Sequence, residues 1–194
     1  MRILVTGGAG YIGSHTLVSL LSKEHEICVV DNYANSSPIA LDRVRRLTNH
    51  DFEQHDLDIC DVPELSAVFA EFQPEAVIHF AGLKSVEEST KNPLMYWDNN
   101  VCGSINLLKI MNKFNCKTII FSSSATIYSY AGNNKIKEDA SINPINPYGR
   151  NKSTTELFLN DVFESDPYNW KIISLRYFNP IGAHNSGQLG ENPI

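Results

Sequence analysis

The sequence predicts an α/β fold with a doubly wound parallel sheet. Short apolar segments rich in β-branched residues alternate along the chain with longer amphipathic segments. This alternation is typical of β-α-β units joined by right-handed crossovers. Residues 27–30 and 119–121 are apolar without polar alternation, which is expected of strands that helices cover on both faces.

The first half of the chain predicts three strand–helix units. Apolar runs predict strands at residues 3–6, 26–31 and, more weakly, 52–54. Amphipathic segments predict helices at residues 11–22, 39–47 and 63–72. The first helix has an apolar face formed by Ile12, Leu17, Leu20 and Leu21. The third begins with Pro63, which suits a first helical turn.

The second half continues the alternation and then loses it. Strands are predicted at residues 76–80, 117–122 and 170–176. Helices are predicted at residues 93–114, opening with Pro93, and at residues 148–163, after a loop rich in proline and asparagine at 143–147. Residues 179–194 are rich in glycine, asparagine and proline and show no periodicity. We therefore expect one domain over residues 1–178 and the start of a different region at 179–194.

A glycine-rich turn separates the first predicted strand from the first helix. Gly7, Gly10 and Gly13 have the spacing G-x-x-G-x-x-G. Glycine permits a tight turn and lets backbone N–H groups approach a pyrophosphate, which the helix N-terminus then faces. No lysine follows as in the phosphate-binding loop of an ATPase. The motif in this context predicts a dinucleotide-binding Rossmann domain.

Asp31 lies at the end of the second predicted strand, about twenty residues after the turn. A carboxylate there can accept hydrogen bonds from the adenosine ribose hydroxyls. It would repel the additional phosphate of NADP, so NAD is the predicted cofactor.

Tyr148 and Lys152 are four residues apart at the start of the last predicted helix, so they share one helix face. A nearby ammonium group and the helix N-terminus are both expected to lower the pKa of a phenol. Such a tyrosine could accept a proton from a sugar hydroxyl while hydride leaves the same carbon. We therefore predict Tyr148 and Lys152 as a catalytic pair.

A serine-rich segment, FSSSAT, follows the fifth predicted strand. Ligands of open parallel sheets bind beyond the carboxyl ends of the strands, so a hydroxyl here could contact the reacting oxygen. Ser124 is the first candidate and Thr126 the second. The chain has no G-x-S-x-G motif, which argues against a nucleophilic hydrolase serine.

Composition excludes several other classes. The net charge is −6 and the pI about 5.5, which argues against a nucleic-acid partner because phosphate binding needs clustered Lys and Arg. No apolar run has the length of a membrane span. The four cysteines form no C-x-x-C pair and have no histidines at zinc-finger spacing, so no metal is predicted. We expect a cytoplasmic protein whose Cys28 is a buried free thiol.

Several motifs together resemble the extended short-chain dehydrogenase/reductases over essentially the whole chain. They are the glycine turn, Asp31-Asn32, HFAGLK at 79–84, DNN at 98–100, the serine segment, Tyr148 with Lys152, and RYFNP at 176–180. The strings HFAGLKSVEES, FSSSAT and LRYFNPIGAH are similar to those of the UDP-glucose 4-epimerase subgroup. Members of this subgroup are longer, and the remaining C-terminal part binds uridine and the sugar. The resemblance therefore implies that residues 179–194 are the start of the substrate-binding part and that most of this part is missing.

The resemblance also implies a set of site residues. Beyond the three glycines, Asp31, Tyr148 and Lys152, the implied cofactor-binding residues are Tyr11, Ile12, Asn32, Asn35, Ser36, Asp58, Ile59, Phe80, Ala81, Gly82, Lys84, Asn99, Ser122 and Phe178. Lys84 would lie near the pyrophosphate and Asn99 near the nicotinamide. The implied substrate-binding residues are Lys84, Ser124, Thr126, Tyr148 and Asn179.

The implied reaction is a reversible 4-epimerisation of a UDP-hexose. Tyr148 would deprotonate the C4 hydroxyl with the help of Ser124, and hydride would pass to tightly held NAD and return to the other face of the 4-keto sugar. The helices at 93–114 and 148–163 would pair with a second subunit as a four-helix bundle. The alternative is that they only cover the sheet of a monomer.

Two other functions are left open. A nucleotide-sugar 4,6-dehydratase would need an added acid and base, and related dehydratases carry an Asp-Glu pair in the serine turn. Ser123-Ser124-Ala125 offers no carboxylate there, which disfavours this alternative. The chain could also be a truncated module that binds NAD without catalysis.

Overall fold

A computed structural model describes residues 1–129 and 135–191. The strands are β1 (Arg2–Thr6), β2 (Glu26–Asp31), β3 (Glu53–Asp56), β4 (Ala76–His79), β5 (Thr118–Ser124) and β6 (Lys171–Tyr177). The α-helices are α1 (Tyr11–Leu21), α2 (Pro38–Thr48), α3 (Val62–Phe72), α4 (Val86–Lys91), α5 (Pro93–Tyr96), α6 (Gly103–Lys113) and α7 (Pro147–Ser165). A π-helical stretch, Trp97–Cys102, joins α5 to α6, and a 3-10 turn, Ala125–Ile127, follows β5.

All six strands pair in parallel in the order β3-β2-β1-β4-β5-β6. This is the strand order of the Rossmann fold, and it confirms the predicted fold class. The chain adds β2 and β3 on one side of β1 and then β4, β5 and β6 on the other side, so the order of strand addition reverses between β1 and β4. Thr6 pairs with Val30 on one side and His79 on the other, so the strands end together at this switch point, where such folds bind ligands.

Two apolar cores lie on opposite faces of the sheet, as a doubly wound fold requires. On one face, Leu4 and Val77 pack with residues of α3, α6 and α7, including Phe69, Leu107 and Leu159. On the other face, Ile3, Val5 and Val29 pack with Leu17 of α1 and Leu41 of α2. Adjacent residues of β1 thus belong to different cores, because strand side chains alternate between faces.

Three local predictions differ from the structure, and a fourth lies partly outside the described residues. Helix α4 was not predicted, although Ser85 caps it by accepting a hydrogen bond from the Glu88 N–H at 3.2 Å, a signal that S-x-x-E carries in the sequence. The helix predicted at 93–114 contains the π-helical stretch. Strand β5 continues to Ser124 because it pairs with β6 as far as Ser124 and Tyr177. Of the predicted region 179–194, residues 192–194 lie outside the described residues.

Two further predictions concern the state of the cysteines and the length and apolar character of the helices. All four cysteines carry free thiols, and Cys28 is buried as predicted. Among the described residues, no helix combines the length and apolar character needed to cross a bilayer.

Candidate active site

A cavity of about 520 Å³ lies at the carboxyl edge of the sheet, at the switch point between β1 and β4. Every predicted cofactor- or substrate-binding residue lines it, with the exception of Ser36. The lining residues that the sequence analysis did not single out are Val30, Ala34, Leu57, Leu83, Val86, Ser123, Tyr177, Pro180 and Glu191. The fold thus gathers residues from most of the chain's length around one space.

The glycine turn forms one wall of the cavity. Gly7 has a φ of +70°, and a Cβ there would lie 2.5 Å from the backbone nitrogen of Ala81. A Cβ on Gly13 would lie 2.4 Å from the Gly7 carbonyl oxygen. Gly10 occupies the N-cap position of α1 and has no side-chain oxygen to occupy the first N–H groups of the helix. The backbone therefore forms a cradle suited to an anion at a helix N-terminus.

The Asp31 carboxylate organises the loops beside this cradle. It accepts hydrogen bonds from the Ala9 N–H at 2.9 Å and the Tyr33 N–H at 3.0 Å. The Ser36 hydroxyl also donates to it, at 2.8 Å. Ser36 therefore contributes to the site through Asp31, which itself lines the cavity.

The hydroxyl groups of Ser124 and Thr126 are hydrogen-bonded to each other and line the same cavity as the Tyr148 phenol. Ser124 Oγ accepts from the Thr126 hydroxyl at 3.0 Å and from the Thr126 N–H at 3.2 Å. Its own proton is then available for the Tyr148 phenol, whose pKa Ser124 lowers. Burial raises the pKa of Tyr148, and the bond to Ser124 lowers it in part. The net rise departs from the expected lowering because desolvation of the phenolate outweighs the stabilising contacts.

The buried Lys152 ammonium group lines the same cavity as Ser124, Thr126 and Tyr148. Its Nζ donates to the Ser122 carbonyl at 2.7 Å and lies 5.8 Å from the centre of the Tyr148 ring. Burial lowers the pKa of Lys152 to about 8. The predicted pair thus shares one helix face and one cavity, and the lysine is bonded to β5 at the foot of the cavity.

The first turn of α7 holds the tyrosine against the serine segment. Asn146 caps the helix by accepting from the Gly149 N–H at 2.8 Å. A Cβ on Gly149 would lie 2.4 Å from the Thr126 carbonyl oxygen. Only glycine allows the helix to approach this closely, a requirement that the sequence alone did not reveal.

A buried hydrogen-bond chain beneath the cavity was also missed. The Ser104 hydroxyl donates its proton to the Asn100 carbonyl at 2.5 Å. His79 Nε2 lies 2.9 Å from Ser104 Oγ and must therefore donate to that oxygen. His79 Nδ1 then accepts from the Thr6 hydroxyl at 2.7 Å. Burial, with a smaller contribution from the charge on Lys152, lowers the pKa of His79 to about 3. The neutral imidazole joins β1 and β4 to α6.

The π-helical stretch presents Asn100 to the loop after β4. Its Oδ1 accepts from the Leu83 N–H at 2.8 Å, and its Nδ2 donates to the Leu83 carbonyl at 2.9 Å. Oδ1 also accepts from the Asn99 amide at 2.9 Å. Asn100 therefore fixes the loop that carries Ala81, Gly82 and Lys84, and a π-bulge at a functional site is a recurrent feature.

An ion pair between Glu156 and Arg176 supports the far side of the site. The guanidinium donates two bonds to Glu156 Oε2 and one to Oε1, the shortest at 2.7 Å. Ser123 also donates to Glu156, and Arg176 donates to the Tyr128 hydroxyl at 2.5 Å. The network joins α7, the end of β5 and the end of β6, although neither charged residue was predicted to act there.

Comparison with known proteins now identifies the family. Residues 3–192 match the model of the NAD dependent epimerase/dehydratase family. UDP-glucose 4-epimerase from Bacillus subtilis is 50% identical over 193 residues, covering 100% of this chain and 57% of that protein. UDP-glucose 4-epimerase 2 from Arabidopsis thaliana is 49% identical over 195 residues, covering 99% of this chain and 55% of that protein.

A solved structure extends the likeness to the backbone. The crystal structure of UDP-glucose 4-epimerase from Bifidobacterium longum in complex with NAD+ and UDP superposes with a TM-score of 0.96 at 49% identity. The match covers 100% of this chain and 58% of that one. The chain thus spans somewhat more than half the length of the relatives it matches, and it belongs to the NAD dependent epimerase/dehydratase family.

Proposed function

We propose that the chain is the NAD-binding and proton-transferring portion of a UDP-hexose 4-epimerase that interconverts UDP-glucose and UDP-galactose. The observation that carries the proposal is the position of Tyr148, Ser124 and Lys152 in the same cavity as the glycine cradle. The Gly7 and Gly13 positions have no room for a Cβ, as expected of the glycines that give a dinucleotide-binding motif its tight turn and close helix packing. When bound, NAD supplies the hydride acceptor and donor.

The side chains of this chain would manage the proton and the position of the reactants. Tyr148 would accept the proton of the C4 hydroxyl and later return it to the same oxygen. Ser124 donates to the phenolate oxygen and so stabilises it, while Thr126 orients Ser124. The Lys152 ammonium adds positive charge below the phenolate, and Asp31 is placed to accept from the adenosine ribose.

A catalytically silent NAD-binding module is the second candidate. The specific observation in its favour is that the chain covers only 57% of the Bacillus subtilis relative. Remote contacts to a substrate position the reacting atoms, so a chain without them could bind NAD without catalysing any reaction.

A dehydratase is disfavoured because Glu156, the carboxylate that is hydrogen-bonded to the serine segment, forms an ion pair with Arg176.

The first experiment separates these candidates. The 194-residue chain is purified, denatured and assayed for released NAD(H), and UDP-galactose turnover is measured in parallel. We expect bound dinucleotide in the wild type and in Tyr148→Phe, and at least about a 100-fold loss of any turnover in the variant. Dinucleotide without turnover in the wild type supports the silent module. Failure of the wild type to bind NAD refutes both candidates.

We also propose a homodimer in which the helices from α5 to α6 and helix α7 pair with a second copy. In support, the α5 residues Leu94 and Met95 are 79% and 42% exposed. At low protein concentration, below that at which β6 is expected to drive further association, sedimentation analysis of the wild type should show a dimer, and Leu94→Lys should dissociate it. A wild-type monomer at high concentration contradicts this proposal.

We further propose that the protein resides in the cytoplasm. The free state of all four cysteines supports a reducing compartment. Fractionation of the source cells with an antibody to the chain tests this, and recovery outside the cytoplasmic fraction refutes it.

A further inference from the structure

The edge of the sheet opposite the proposed active-site helix α7 brings together three potential metal ligands. Cys28 of β2 pairs in register with Glu53 of β3, and His55 follows two residues later on the same face. The Cys28 Sγ, a Glu53 carboxylate oxygen and a His55 ring nitrogen all lie within 4.8 Å of one another. Cys28 and His55 are far apart in sequence, so a search for short ligand spacings does not find them.

Two of the three groups are already hydrogen-bonded to each other. His55 Nε2 and Glu53 Oε1 are 2.6 Å apart, and the Cys28 sulfur lies within 4.8 Å of the ligand atoms of both side chains. Burial raises the pKa of Cys28, and the charges of Glu53 and of Glu71 on α3 raise it further. The two carboxylates that oppose a lone thiolate would attract a bound cation, and a low dielectric strengthens that attraction.

We propose that Cys28, Glu53 and His55 bind one Zn²⁺ ion, with the fourth position taken by water. Sulfur, imidazole and carboxylate ligands together are typical of zinc. A thiolate, a carboxylate and a neutral imidazole balance the two positive charges of the ion, which suits a half-buried site. Binding forms the Zn–S bond and releases the thiol proton to solvent. The proton that His55 Nε2 shares with Glu53 must also leave this nitrogen, so that Nε2 binds the ion and the neutral imidazole carries its proton on Nδ1.

The ligands are able to reach the required geometry. Zinc–ligand bonds of about 2.0–2.3 Å place tetrahedral ligand atoms about 3.5 Å apart. The ligand atoms that are up to 4.8 Å apart must therefore approach by up to about an ångström, whereas His55 Nε2 and Glu53 Oε1, which are 2.6 Å apart, must separate by about as much. Cys28 is fixed in the core, but the side chains of His55 and Glu53 are 30% and 38% exposed. They can therefore rotate towards the sulfur without moving the sheet.

The site would stabilise the wall of the dinucleotide cavity. Strand β3 has only four residues and lies at the edge of the sheet. Directly after it, Leu57, Asp58 and Ile59 line the cavity. A zinc ion that bridges β3 to β2 would hold this segment in place in the folded state.

Titration of the metal-free chain with Co²⁺ and then Zn²⁺ tests the proposal. We expect one equivalent of Co²⁺ to give a cobalt–thiolate charge-transfer band that Zn²⁺ displaces, and zinc to raise the Tm. Cys28→Ser should abolish the band. His55→Gln should weaken binding at least about tenfold, because even the loss of a residue that only orients a ligand costs about 10–100-fold.

The exposed thiols provide matched controls. Cys60→Ser and Cys102→Ser should retain the band, and His50→Gln should retain full affinity. If Cys28→Ser fails to fold, His55→Gln alone decides, because His55 is partly exposed. No thiolate band in the wild type, or a band that survives His55→Gln unchanged, overturns the proposal. None of these readouts depends on NAD binding, so the site stands or falls independently of the proposed function.

Discussion

The Tyr148 phenol is subject to two opposing effects on its pKa. Burial raises it, and the hydrogen bond from Ser124 lowers it. Ser124→Ala should therefore raise the pKa of Tyr148 further, because the phenolate loses a donor. Ultraviolet titration of phenolate absorbance, with Tyr148→Phe subtracted to isolate this one tyrosine, measures the change.

The control for this substitution is Ser153→Ala on the same helix. The Ser153 hydroxyl donates to the Arg150 carbonyl, so its loss should leave the Tyr148 titration in place. An unchanged or lower pKa in Ser124→Ala would show that the serine does not bond to the phenol.

His79 should make the fold sensitive to mild acid. Its pKa is lowered from 6.5 to about 3 in the folded chain. Below pH 6.5 the unfolded chain takes up a proton that the native imidazole does not, so stability falls as the pH falls towards 3. The loss between pH 7 and pH 5 should be about 2 kcal/mol.

Urea unfolding at the two pH values measures this loss. In His79→Gln, whose amide can replace both hydrogen bonds, the pH-dependent part should disappear even if the variant is less stable throughout. An equal loss in wild type and variant would assign the acid sensitivity to other groups.

Several of the site residues could be predicted from the sequence, and others could not. The glycines, Asp31, Tyr148 and Lys152 were found because their chemistry depends on local spacing, and Ser124 because it follows a strand. His79, Asn100, Glu156 and Arg176 act through partners that lie far from them in sequence. The direction of the Tyr148 pKa shift was also missed, because burial is a property of the folded chain.

The contact between α7 and the serine segment depends on the absence of a side chain at Gly149. Gly149→Ala would place a Cβ 2.4 Å from the rigid Thr126 carbonyl. We expect a loss of about 1–3 kcal/mol from overpacking, measured by urea unfolding, and weaker NAD binding as Tyr148 shifts.

Gly103→Ala is the matched comparison for this substitution. Gly103 is also helical, but its added Cβ would meet side-chain atoms of Ile59 and Cys60, the nearest being Ile59 Cδ1 at 2.8 Å, and no rigid backbone atom. Alanine also favours a helix by up to about 1 kcal/mol, so we expect a change near zero. Equal losses in both variants would remove the close approach as the cause.

Helix α7 and strand β6 are joined by the Glu156–Arg176 ion pair, whose side chains are 10% and 23% exposed. Glu156→Ala would leave a largely buried guanidinium without its carboxylate, and we expect a loss of about 3 kcal/mol in urea unfolding. The Lys91–Glu87 pair is comparably short, at 2.6 Å, but 68% and 79% exposed.

Glu87→Ala should therefore cost less than about 0.5 kcal/mol. A similar cost for the two substitutions would mean that burial does not govern the strength of these pairs.

Helix α4, which contains Glu87, shows which secondary-structure elements could not be predicted from the sequence. Its six residues are too short for an apolar period to emerge, whereas the five predicted helices overlap helices of the structure.

The whole molecule is unevenly covered. Helices α1 and α2 cover one face of the sheet near β1 and β2, and α3, α6 and α7 cover the other. At β6, Ile173 and Leu175 are 53% and 39% exposed, and β6 pairs only with β5 among the described strands. A sheet edge that presents free backbone groups and apolar side chains is a template for association between chains.

We therefore expect the isolated 194-residue chain to form species larger than the proposed dimer. Each copy could pair once through its helices and once through β6, so association would continue beyond two copies. Light scattering against concentration should show this growth, and Ile173→Lys should reduce it to a dimer because a charge on the exposed face disfavours stacking. Leu94→Lys should instead leave the β6 contact and remove the helical one. If Ile173→Lys left the growth unchanged, the exposed face of β6 would not be the surface through which the copies associate.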